Sequence, residues 1–582
     1  MPQDRLRLAM IQENPTVGDH DGNAALAITH ITENRHVDLI IFSECFVTGY
    51  PLGDLVLRPG FLRDTDRAIS RIRDHVIATG GPAVLIGAPI AGTGLPFNAA
   101  LLIEPSGATR VVRKTELPNS DVFDERRTFA MAEPDSQGPL PFKGFRLGVM
   151  ICEDMWHGRV ARHLSDELAE VLIALNGSPY QGGKHEVRLE NARARVRATG
   201  LPLIYVNQVG GQDELVFDGG SFTLNPDGAA MCAEAFSPDV LHLLLRRDDQ
   251  GRTHIEASED TVPGTYPTDR TRTDYQACVL GLRDYVAKTA APRVFVGVSG
   301  GLDSALVLTM AVDALGPDRV VGVMMPSPHT GPESPALADE LMRRLGTHRR
   351  VLPITAPYEA VDTALSPLIA DLGADLGLDR TSEGLARENY QARLRGLLLM
   401  GLTNALGGIV LSTGNKSEMA VGYATLYGDM AGGFNPLKSV YKSDAFEMAR
   451  WRNGWDGGDM SPFAPLDPIP EGILTRPPTA ELAEGQTDAK SLGDYAALDL
   501  VLRALIEEGD DAHGAARRLE AVFGDRLPGL INGMGAEPYA ERVSRMVRNA
   551  QYKRVQAPPG VKLNATDFGL GWRYPIAGTY RL

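Results

Sequence analysis

The fold of the second half of the chain is decided by the stretch Val296-Gly297-Val298-Ser299-Gly300-Gly301-Leu302-Asp303-Ser304. Alternating apolar residues predict a short buried strand over 294–298, and an apolar run predicts a helix over 305–315. A strand that turns through two glycines into a helix presents backbone N–H groups at the positive end of the helix dipole. Such a turn suits phosphate, and the alternative is a glycine-rich turn without a ligand.

The polar side chains of this turn favour the phosphate interpretation. Ser299 and Ser304 would add hydroxyl donors, and Asp303 places a carboxylate where Mg²⁺ on a polyphosphate would lie. The Walker phosphate loop requires a lysine that this turn lacks. The motif Ser-Gly-Gly-Leu-Asp-Ser resembles instead the pyrophosphate loop of the N-type ATP pyrophosphatases, which split ATP into AMP and pyrophosphate.

Length and composition indicate a multidomain globular protein. A chain of 582 residues is too long for one hydrophobic core. The net charge of -16 argues against nucleic acid or a membrane surface as a partner. The four cysteines lie far apart without a Cys-x-x-Cys motif, which argues against a zinc site or a disulfide framework. Because neither a signal peptide nor a long apolar run is found, we expect a cytoplasmic protein.

The first half of the chain alternates short apolar strands with amphipathic helices. Strands are predicted at 6–12, 38–42, 83–87, 98–103, 145–151, 171–175 and 203–206, and helices at 22–34, 62–78 and 184–199. This alternation predicts a layered α/β fold. The turn signal Asn225-Pro226-Asp227-Gly228 predicts antiparallel pairing near the end of this half.

Three reactive residues each stand at the end of a predicted strand, namely Glu44, Lys114 and Cys152. A cysteine between a strand end and the helix signal Glu153-Asp154 has the elbow position that exposes a nucleophile. The charge of Lys114 would favour its thiolate, and Glu44 would act as general base. Each residue alone is more often structural, so the prediction depends on the combination.

The segments around these residues resemble the three signatures of the nitrilase (carbon–nitrogen hydrolase) superfamily. They are Phe42-Ser43-Glu44, Arg113-Lys114-Thr115-Glu116-Leu117-Pro118-Asn119 and Ile151-Cys152-Glu153-Asp154-Met155-Trp156. The resemblance implies a four-layer α-β-β-α sandwich and amide hydrolysis. Cys152 would attack the amide carbonyl, Lys114 would stabilise the oxyanion, and Glu44 would move protons.

Four further residues are assigned by the same resemblance. Glu125, in Asp124-Glu125-Arg126-Arg127, would support the triad. Ser178, in Asn176-Gly177-Ser178-Pro179-Tyr180, and Lys184 match the segment that holds the amino-acid end of the substrate in the glutamine-using branch. Ser120 stands where that branch usually carries a tyrosine, so the ring that packs on glutamine is missing or replaced.

The second half begins after a stretch rich in Thr, Pro, Asp and Glu. This stretch predicts a linker over 251–273, between a first domain at 1–250 and a second at 274–582. A helix is predicted at 275–287 before the glycine turn. After it we expect strands at 320–325, 350–354 and 408–412, and helices at 336–345 and 388–406. Such alternation after a phosphate turn predicts a doubly wound, Rossmann-like parallel sheet with its ligand at the carboxyl edge.

Several later motifs, in their order, resemble the synthetase domain of the NAD synthetase family. They are Glu388-Asn389-Tyr390-Gln391-Ala392-Arg393-Leu394-Arg395, Ser412-Thr413-Gly414-Asn415-Lys416-Ser417-Glu418, Tyr423-Ala424-Thr425-Leu426-Tyr427-Gly428-Asp429, Ser439-Val440-Tyr441-Lys442 and Pro477-Pro478-Thr479-Ala480-Glu481-Leu482. Arg393 and Arg395 cannot share a helix face, and their spacing leaves open which of them meets a ligand. With the nitrilase-like half, this order is specific to the glutamine-dependent branch of the family.

The resemblance implies a role for each matching residue. For ATP these are Gly297, Val298, Ser299, Gly300, Gly301, Leu302, Asp303, Ser304, Thr413, Lys442 and Thr479. For deamido-NAD they are Asn389, Glu418, Tyr423, Ala424, Thr425, Leu426, Asp429 and, as a phosphate contact, Lys553. Asp303 and Glu418 would hold Mg²⁺, the implied cofactor.

The implied reaction is ATP-dependent amidation of deamido-NAD through an adenylated intermediate. L-Glutamine would supply ammonia in the first domain, and the products would be NAD, AMP, pyrophosphate and glutamate. Relatives assemble as homo-oligomers with their synthetase domains paired, so we expect at least a dimer.

Three alternatives compete with this interpretation. Another pyrophosphate-loop amidotransferase, such as a GMP synthetase, would use a Cys-His-Glu glutaminase, whereas Cys152 follows the nitrilase pattern. A regulatory protein that binds nucleotide without turnover would not need Asp303, Glu418 and Lys442 together. A synthetase with an impaired glutaminase, using ammonia directly, is suggested only by Ser120.

Overall fold

The structure is a computed structural model that describes residues 4–133, 136–259, 261–378, 383–455, 463, 465–478, 482 and 488–580. The chain divides into two compact units, Met1–Arg270 and Thr271–Leu582. Within the described residues, no helix combines the length and the apolar character that a membrane crossing requires.

The first unit contains short strands and helices in alternation. Its strands are β1 Arg5–Gln12, β2 Leu39–Ile41, β3 Ala83–Ile90, β4 Phe97–Ile103, β5 Thr109–Arg113, β6 Leu140–Phe142, β7 Phe145–Ile151, β8 Val171–Asn176, β9 Leu203–Asn207, β10 Val209–Gln212, β11 Leu215–Asp218, β12 Phe222–Leu224, β13 Ala230–Cys232, β14 Asp239–Arg247 and β15 Thr253–Ala257. Its helices are α1 His20–Glu33, α2 Pro59–Thr79, α3 Glu125–Thr128, α4 Glu153–Trp156, α5 Gly158–Asp166 and α6 Lys184–Thr199.

Two sheets of this unit pack face to face between two layers of helices. One sheet has the strand order β15-β14-β1-β2-β3-β4-β5 and the other β13-β12-β9-β8-β7-β6. Strand alternation sends Leu8 and Met10 of β1 into the core between the sheets, and Ala9 and Ile11 into the core under α1 and α2. A third core joins α5 and α6 to the second sheet. This arrangement confirms the predicted four-layer α-β-β-α sandwich.

The segment predicted as a linker is partly ordered secondary structure. Residues 253–257 form β15, which pairs antiparallel with β14, and α7 begins at Arg270. The range 251–273 remains a predicted connection between the domains, and it contains one strand that the sequence did not indicate. Thr253 and Ile255 are buried in the β15 strand, and the Thr-, Pro- and Asp-rich composition around them concealed this short alternation.

The second unit has a small sheet and many helices. Its strands are β16 Val294–Gly297, β17 Val320–Met324, β18 His348–Val351 and β19 Ile409–Leu411. Its helices are α7 Arg270–Lys288, α8 Leu302–Leu315, α9 Glu333–Arg344, α10 Thr355–Asp375, α11 Glu383–Leu406, α12 Lys416–Val421, α13 Lys442–Gly454, α14 Glu471–Thr475, α15 Asp488–Leu492, α16 Tyr495–Ile506, α17 Ala512–Phe523, α18 Leu527–Leu530, α19 Ala536–Asn549 and α20 Gln551–Arg554.

The sheet of the second unit is parallel, with the order β18-β17-β16-β19. The winding reverses at β16, which has β17 on one side and β19 on the other. This confirms the predicted doubly wound sheet, in which ligands bind at the carboxyl ends of the strands beside the reversal. The glycine turn follows β16, and Thr413 follows β19, so both come to that point.

The C-terminal third is a helical layer that the sequence motifs did not predict. Helices α12 and α16–α19 share a buried core with Phe568 and Trp572 of the final segment. The core contains apolar residues at helical spacing, such as Leu498, Val501 and Leu505 on α16. Helical periodicity, and not the family motifs, carries the sequence signal for this layer.

Candidate active sites

Cys152 lies at an elbow between β7 and α4. Its backbone has φ 46° and ψ −95°, a strained conformation for a residue with a side chain. The Cys152 N–H donates to the carbonyl of Leu175 at 2.9 Å, which ties the elbow to the end of the neighbouring β8. The geometry confirms the predicted elbow at a strand end.

Lys114 is held between two carboxylates in the interior of the first unit. Its ammonium donates to Glu44 Oε1 at 2.7 Å and to Glu125 Oε2 at 2.8 Å. The side chains of Lys114 and Glu44 are 0% exposed and that of Glu125 is 6% exposed. Tyr50 donates its hydroxyl to Glu125 Oε1 at 2.8 Å. Two anions around one cation satisfy the hydrogen bonds that such a buried group requires.

Burial controls the protonation of this cluster. Burial opposes the charge of Lys114, but Glu125 and Glu44 raise its pKa well above the ordinary value, so it is an ammonium. Burial also raises the pKa of Glu125. Burial, followed by the charge of Glu44, raises the pKa of Cys152 well above the ordinary value. The charge of Lys114 lowers the pKa of Cys152, in the predicted direction, but burial and Glu44 outweigh it, so the Cys152 proton needs a base.

Glu44 is oriented by two further donors that the sequence interpretation missed. Asn98 Nδ2 donates to Glu44 Oε1 and the Gly177 N–H donates to Glu44 Oε2, each at 2.8 Å. A side chain at Gly177 would come within 2.7 Å of the Tyr50 ring, so this close approach requires glycine. The position of Asn98 near the start of a strand carried no signal for this role.

Asp154 joins the two backbone segments that carry Lys114 and Cys152. Its Oδ1 accepts the N–H groups of Thr115 at 3.0 Å and Glu116 at 2.7 Å, and its Oδ2 accepts the Ile151 N–H at 2.9 Å. Burial raises its pKa to about 7, against those three hydrogen bonds. We had used Asp154 only as a helix signal. Its position two residues after Cys152 was the one sequence feature that could have indicated this bracing role.

The second unit has a partly open cavity of ≈ 290 Å³ at the carboxyl edge of its sheet. Most of the predicted nucleotide residues line it, namely Gly297, Val298, Ser299, Gly300, Gly301, Leu302, Asp303, Ser304, Thr413, Glu418, Tyr423, Thr425, Asp429 and Lys442. The structure thus brings together residues from four separate motifs. Their convergence was predicted only as a consequence of family resemblance.

The glycine turn is braced from inside. Gly300 has φ 82°, and a side chain there would strike the carbonyl of Ser334, so glycine is required. The hydroxyls of Ser299 and Ser304 lie 3.1 Å apart, and the Gly301 N–H donates to Ser299 Oγ at 3.2 Å. Helix α8 begins after Gly301 without a side-chain cap, which leaves its first N–H groups for an anion.

Lys442 lies between Asp303 and Glu418 in the cavity. Its ammonium donates to Asp303 Oδ2 and, at 3.4 Å, to Glu418 Oε1. Asn415 Nδ2 donates to Asp303 Oδ1 at 3.2 Å. Burial raises the pKa of Glu418 to about 8, and the charge of Asp303 adds to this, so the pair is short of positive charge.

This pair of carboxylates fits the predicted Mg²⁺. Asp303 and Glu418 share one ammonium, so both reach a single cation. Among the described residues no three acidic, histidine or cysteine side chains form a metal cluster. Mg²⁺ commonly uses one or two carboxylates, with substrate phosphates and water completing its octahedron, so this donor set is appropriate.

Comparison with known proteins gives a match for each half of the chain. A family model described as carbon-nitrogen hydrolase matches residues 7–247, and one described as NAD synthase matches residues 274–557. The chain is 41% identical over 585 residues to the glutamine-dependent NAD(+) synthetase of Rhodobacter capsulatus, with 99% of each chain covered. The chain belongs to the glutamine-dependent NAD(+) synthetase family.

Other members of this family agree. The glutamine-dependent NAD(+) synthetase of Xanthomonas campestris is 39% identical, with 99% of this chain and 98% of the relative covered. The solved glutamine-dependent NAD+ synthetase of Acinetobacter baumannii, a complex with ADP, has a TM-score of 0.73 at 34% identity, with 98% of each chain covered. The comparisons confirm the predicted family and enzyme class, a carbon–nitrogen ligase of NAD biosynthesis.

Some predicted residues of this family member lie outside the cavity lining. Asn389 accepts a hydrogen bond from the Thr425 hydroxyl at 2.7 Å and so supports a lining residue. Ala424 and Leu426 pack against the C-terminal helical core. Lys553 donates to the carbonyls of Gly422 at 2.8 Å and Ala424 at 2.7 Å. In this structure Lys553 stabilises the loop backbone. Thr479 lies outside the described residues.

Arg393 and Arg395 differ in their position relative to the cavity. Arg395 lines the cavity and donates Nε to the carbonyl of Met325 at 3.1 Å. Arg393 donates to the carbonyl of Leu426 at 3.3 Å, on an exposed part of α11. The cavity also has lining residues that we did not assign to either nucleotide, namely Thr330, Ser334, Arg476 and Asp488. The alternation of strands and helices in the sequence could not predict that these separate segments meet at the cavity.

The three residues predicted to bind glutamine differ in setting. Ser178 is buried, and Arg188 Nε donates to its hydroxyl at 3.1 Å. Lys184 begins α6 and is half-buried, whereas Ser120 is exposed. Phe123, three residues later, is roughly parallel to Tyr50 with ring centroids 6.2 Å apart. An aromatic side chain thus lies near the end of this segment despite the missing tyrosine.

Proposed function

We propose that this enzyme amidates deamido-NAD in its second unit with ammonia that its first unit releases from L-glutamine. The observation that supports this most is that one chain carries both a buried Glu-Lys-Cys cluster and a lysine-free phosphate turn facing Lys442. The first is suited to covalent amide chemistry and the second to a departing pyrophosphate.

The glutaminase step begins with proton transfer. Because the Cys152 thiol is protonated at rest, Glu44 takes its proton as the sulfur attacks the amide carbonyl. The Lys114 ammonium and backbone donors stabilise the negative oxygen that develops. Glu44 passes the proton to the departing ammonia and later takes one from the water that releases glutamate. Glu125 keeps Lys114 charged and fixed throughout.

The synthetase step converts a poor leaving group into a good one. The nicotinate carboxylate attacks the α-phosphate of ATP, which forms a mixed anhydride with AMP and releases pyrophosphate. Ser299, Ser304 and Lys442 hold the departing charge. Asp303 and Glu418 would hold Mg²⁺, which supplies further positive charge against the phosphates when bound. Ammonia then attacks the acyl carbon, and AMP leaves.

The two reactions belong in one chain for a chemical reason. Free ammonia near neutral pH is mostly ammonium, which is not a nucleophile. Release from glutamine inside the protein delivers the neutral base. This delivery is tested by supplying isotopically labelled ammonium together with unlabelled glutamine: we expect little label in NAD, and substantial label would contradict protected transfer.

The experiment that tests the whole proposal follows the products. The full-length protein with ATP, Mg²⁺, deamido-NAD and glutamine should form NAD, AMP, pyrophosphate and glutamate in equal amounts. Formation of ADP instead of AMP would contradict adenylation. Turnover with ammonium but no glutamate release from glutamine would favour the alternative with an impaired glutaminase.

Assembly and location are part of the proposal. Helix α10 has no buried residue, and Leu368, Leu372 and Leu376 on or just after it are exposed. An exposed apolar stripe of this kind supports association of copies through the second unit. Sedimentation of the wild type against Leu368→Glu/Leu372→Glu tests it: the variant should be smaller. The four free cysteines support a reducing, cytoplasmic location.

A further inference from the structure

The segment 264–266, which lies shortly before α7 and is called the connector below, is bound closely to the rest of the first unit. The Gly264 N–H donates to the carbonyl of Cys232 at 2.8 Å, and the Thr265 carbonyl accepts the Ala235 N–H at 3.2 Å. A side chain at Gly264 would collide with the backbone of Glu234, so this approach requires glycine. The connector therefore presents its next residue, Tyr266, to the unit in a defined position.

Tyr266 completes a buried ion pair. Its hydroxyl donates to Asp218 Oδ2 at 2.7 Å. Both oxygens of Asp218 also accept from Arg188 Nη1, at 2.9 and 2.8 Å. The side chains of Arg188 and Asp218 are 0% and 1% exposed. A buried pair of this kind is stable only when its remaining hydrogen-bonding capacity is met, and Tyr266 meets part of that of Asp218.

Arg188 transmits this contact to the predicted glutamine segment, residues 176–180. Its Nη2 donates to the carbonyls of Ser178 at 2.9 Å and Pro179 at 2.8 Å, while Nε donates to Ser178 Oγ. One guanidinium thus fixes the backbone and the hydroxyl of Ser178 at once. Its orientation depends on Asp218, and that of Asp218 depends partly on Tyr266.

The ring of Tyr266 also packs near the residues predicted to bind glutamine. It stacks on His185 with centroids 3.7 Å apart and planes 4° apart, and His185 follows Lys184 in the chain. It also lies 6.4 Å from Phe236, which packs edge-on to Tyr180 at 5.6 Å. Burial lowers the pKa of His185 to about 4, so the stacked ring is neutral near pH 7.

We propose that Tyr266 is a positioning residue of the glutamine pocket, which holds Ser178, Tyr180 and Lys184 in place for the amino-acid end of the substrate. This rests on the proposed glutaminase function. The connector residue itself then shapes the pocket. A change at this connector residue would therefore alter the binding of glutamine.

The test compares Tyr266→Phe and Tyr266→Ala with the wild-type full chain. Glutamate release is measured against glutamine concentration with ATP and deamido-NAD saturating. We expect KM for glutamine to rise about three- to tenfold in Tyr266→Phe and further in Tyr266→Ala, with kcat within about twofold. The inhibition constant of the product glutamate, which keeps the amino-acid end, should rise by the same factor.

The controls separate positioning from general damage. Thr265→Val removes the neighbouring hydroxyl, which donates to Glu234 Oε2 at 3.3 Å, and should leave KM unchanged. Ammonium-driven NAD formation should be unchanged in all variants, and Tyr266→Phe keeps the ring if Tyr266→Ala fails to fold. A loss of kcat with unchanged KM would overturn the assignment.

The assignment and the proposed function fail in different ways. If both Tyr266 variants release glutamate at the wild-type rate and with an unchanged KM for glutamine, the assignment of Tyr266 is overturned, but the proposed function is not. A wild-type chain that releases no glutamate from glutamine would overturn the proposed glutaminase function, and the role of Tyr266 with it.

Discussion

The two candidate sites solve opposite problems with the same side-chain chemistry. In the first unit a lysine lies between two carboxylates in a fully buried, fully bonded cluster, and Lys114 is 0% exposed. In the second unit a lysine also lies between two carboxylates, but Lys442, Asp303 and Glu418 line a cavity of ≈ 290 Å³. One lysine–carboxylate cluster is enclosed, and the other faces a space for ligands.

Under the proposed function, the difference follows from the size and charge of the group that each site would bind. A small neutral amide needs fixed donors and a low dielectric, which the enclosed cluster provides. A nucleoside triphosphate brings about four negative charges, which cations and free N–H groups must balance. Its size also requires an open cavity. The bonds of Lys442 in this structure are those that a ligand and a metal ion would rearrange.

Removal of the nucleophile should have the largest effect and separate the two sites. Cys152→Ala should lower glutamine-driven NAD formation by about 10³-fold or more, because no covalent step remains. Ammonium-driven formation should stay within about twofold. Cys232→Ala, a half-buried thiol of the same unit, is the matched control and should retain both activities. Equal loss with both nitrogen sources would contradict two independent sites.

Removal of Lys442 should impair NAD formation and spare the glutaminase reaction. Lys442→Met should lower NAD formation about 10²- to 10³-fold with either nitrogen source, since pyrophosphate loses its cation. Glutamate release from glutamine should continue. Lys490→Met, on the exposed side of α15, serves as the control. If ammonium-driven turnover survives Lys442→Met, the assigned role of Lys442 is incorrect.

The enclosed site should also depend on its backbone bracing. Asp154→Asn replaces one acceptor with a donor facing a backbone N–H, so the segments carrying Lys114 and Cys152 should separate slightly. Glutamine-driven turnover should fall about 10- to 100-fold, and ammonium-driven turnover should be unchanged. Glu153→Gln, the adjacent carboxylate, should cost less. An equal effect of both variants would indicate a general charge effect.

The same carboxyl should make stability depend on pH. The folded-state pKa of Asp154 is about 7 and its ordinary value is 3.8. The folded state then binds the proton more tightly, so the contribution of Asp154 is full below the ordinary value and is lost as pH rises through about 7. Between pH 5 and 7.5 the melting temperature of Asp154→Asn should therefore fall a few degrees less than that of the wild type. Parallel curves would contradict the raised pKa.

The smallest effect is expected at Ser120, where the family resemblance implies a tyrosine. Ser120→Tyr restores a ring at an exposed position and should lower KM for glutamine by about threefold, with no change in the ammonium reaction. If KM rises instead, Phe123 already occupies the space that the tyrosine would need.

Local pattern predicted much of each site. Glu44, Lys114 and Cys152 were found because each follows an apolar strand, and the glycine turn was found from its residues. The residues that the sequence interpretation missed have no distinctive position of this kind. Asn98 and Arg188 have ordinary sequence contexts, and their roles depend on neighbours 54 and 10 residues away.

The balance of effects on the pKa of Cys152 was also beyond local pattern. The sequence showed a lysine that could lower the pKa of Cys152, but it did not show that Glu44 and Glu125 would both bind this lysine. Burial, which raises the pKa of the thiol, is likewise a property of the packed unit. The Thr-, Pro- and Asp-rich composition of the predicted linker likewise gave no sign of β15 or of the contacts of Tyr266, because both depend on residues distant in the chain.

The sequence by itself determined the two α/β units, the elbow and the glycine turn, since these depend on strand alternation and on residues adjacent in the chain. Only the tertiary structure decided which charges meet. Lys114 follows a strand of one sheet and Cys152 a strand of the other, so their cluster exists only once the two sheets pack. That packing also sets the burial that determines where each proton lies.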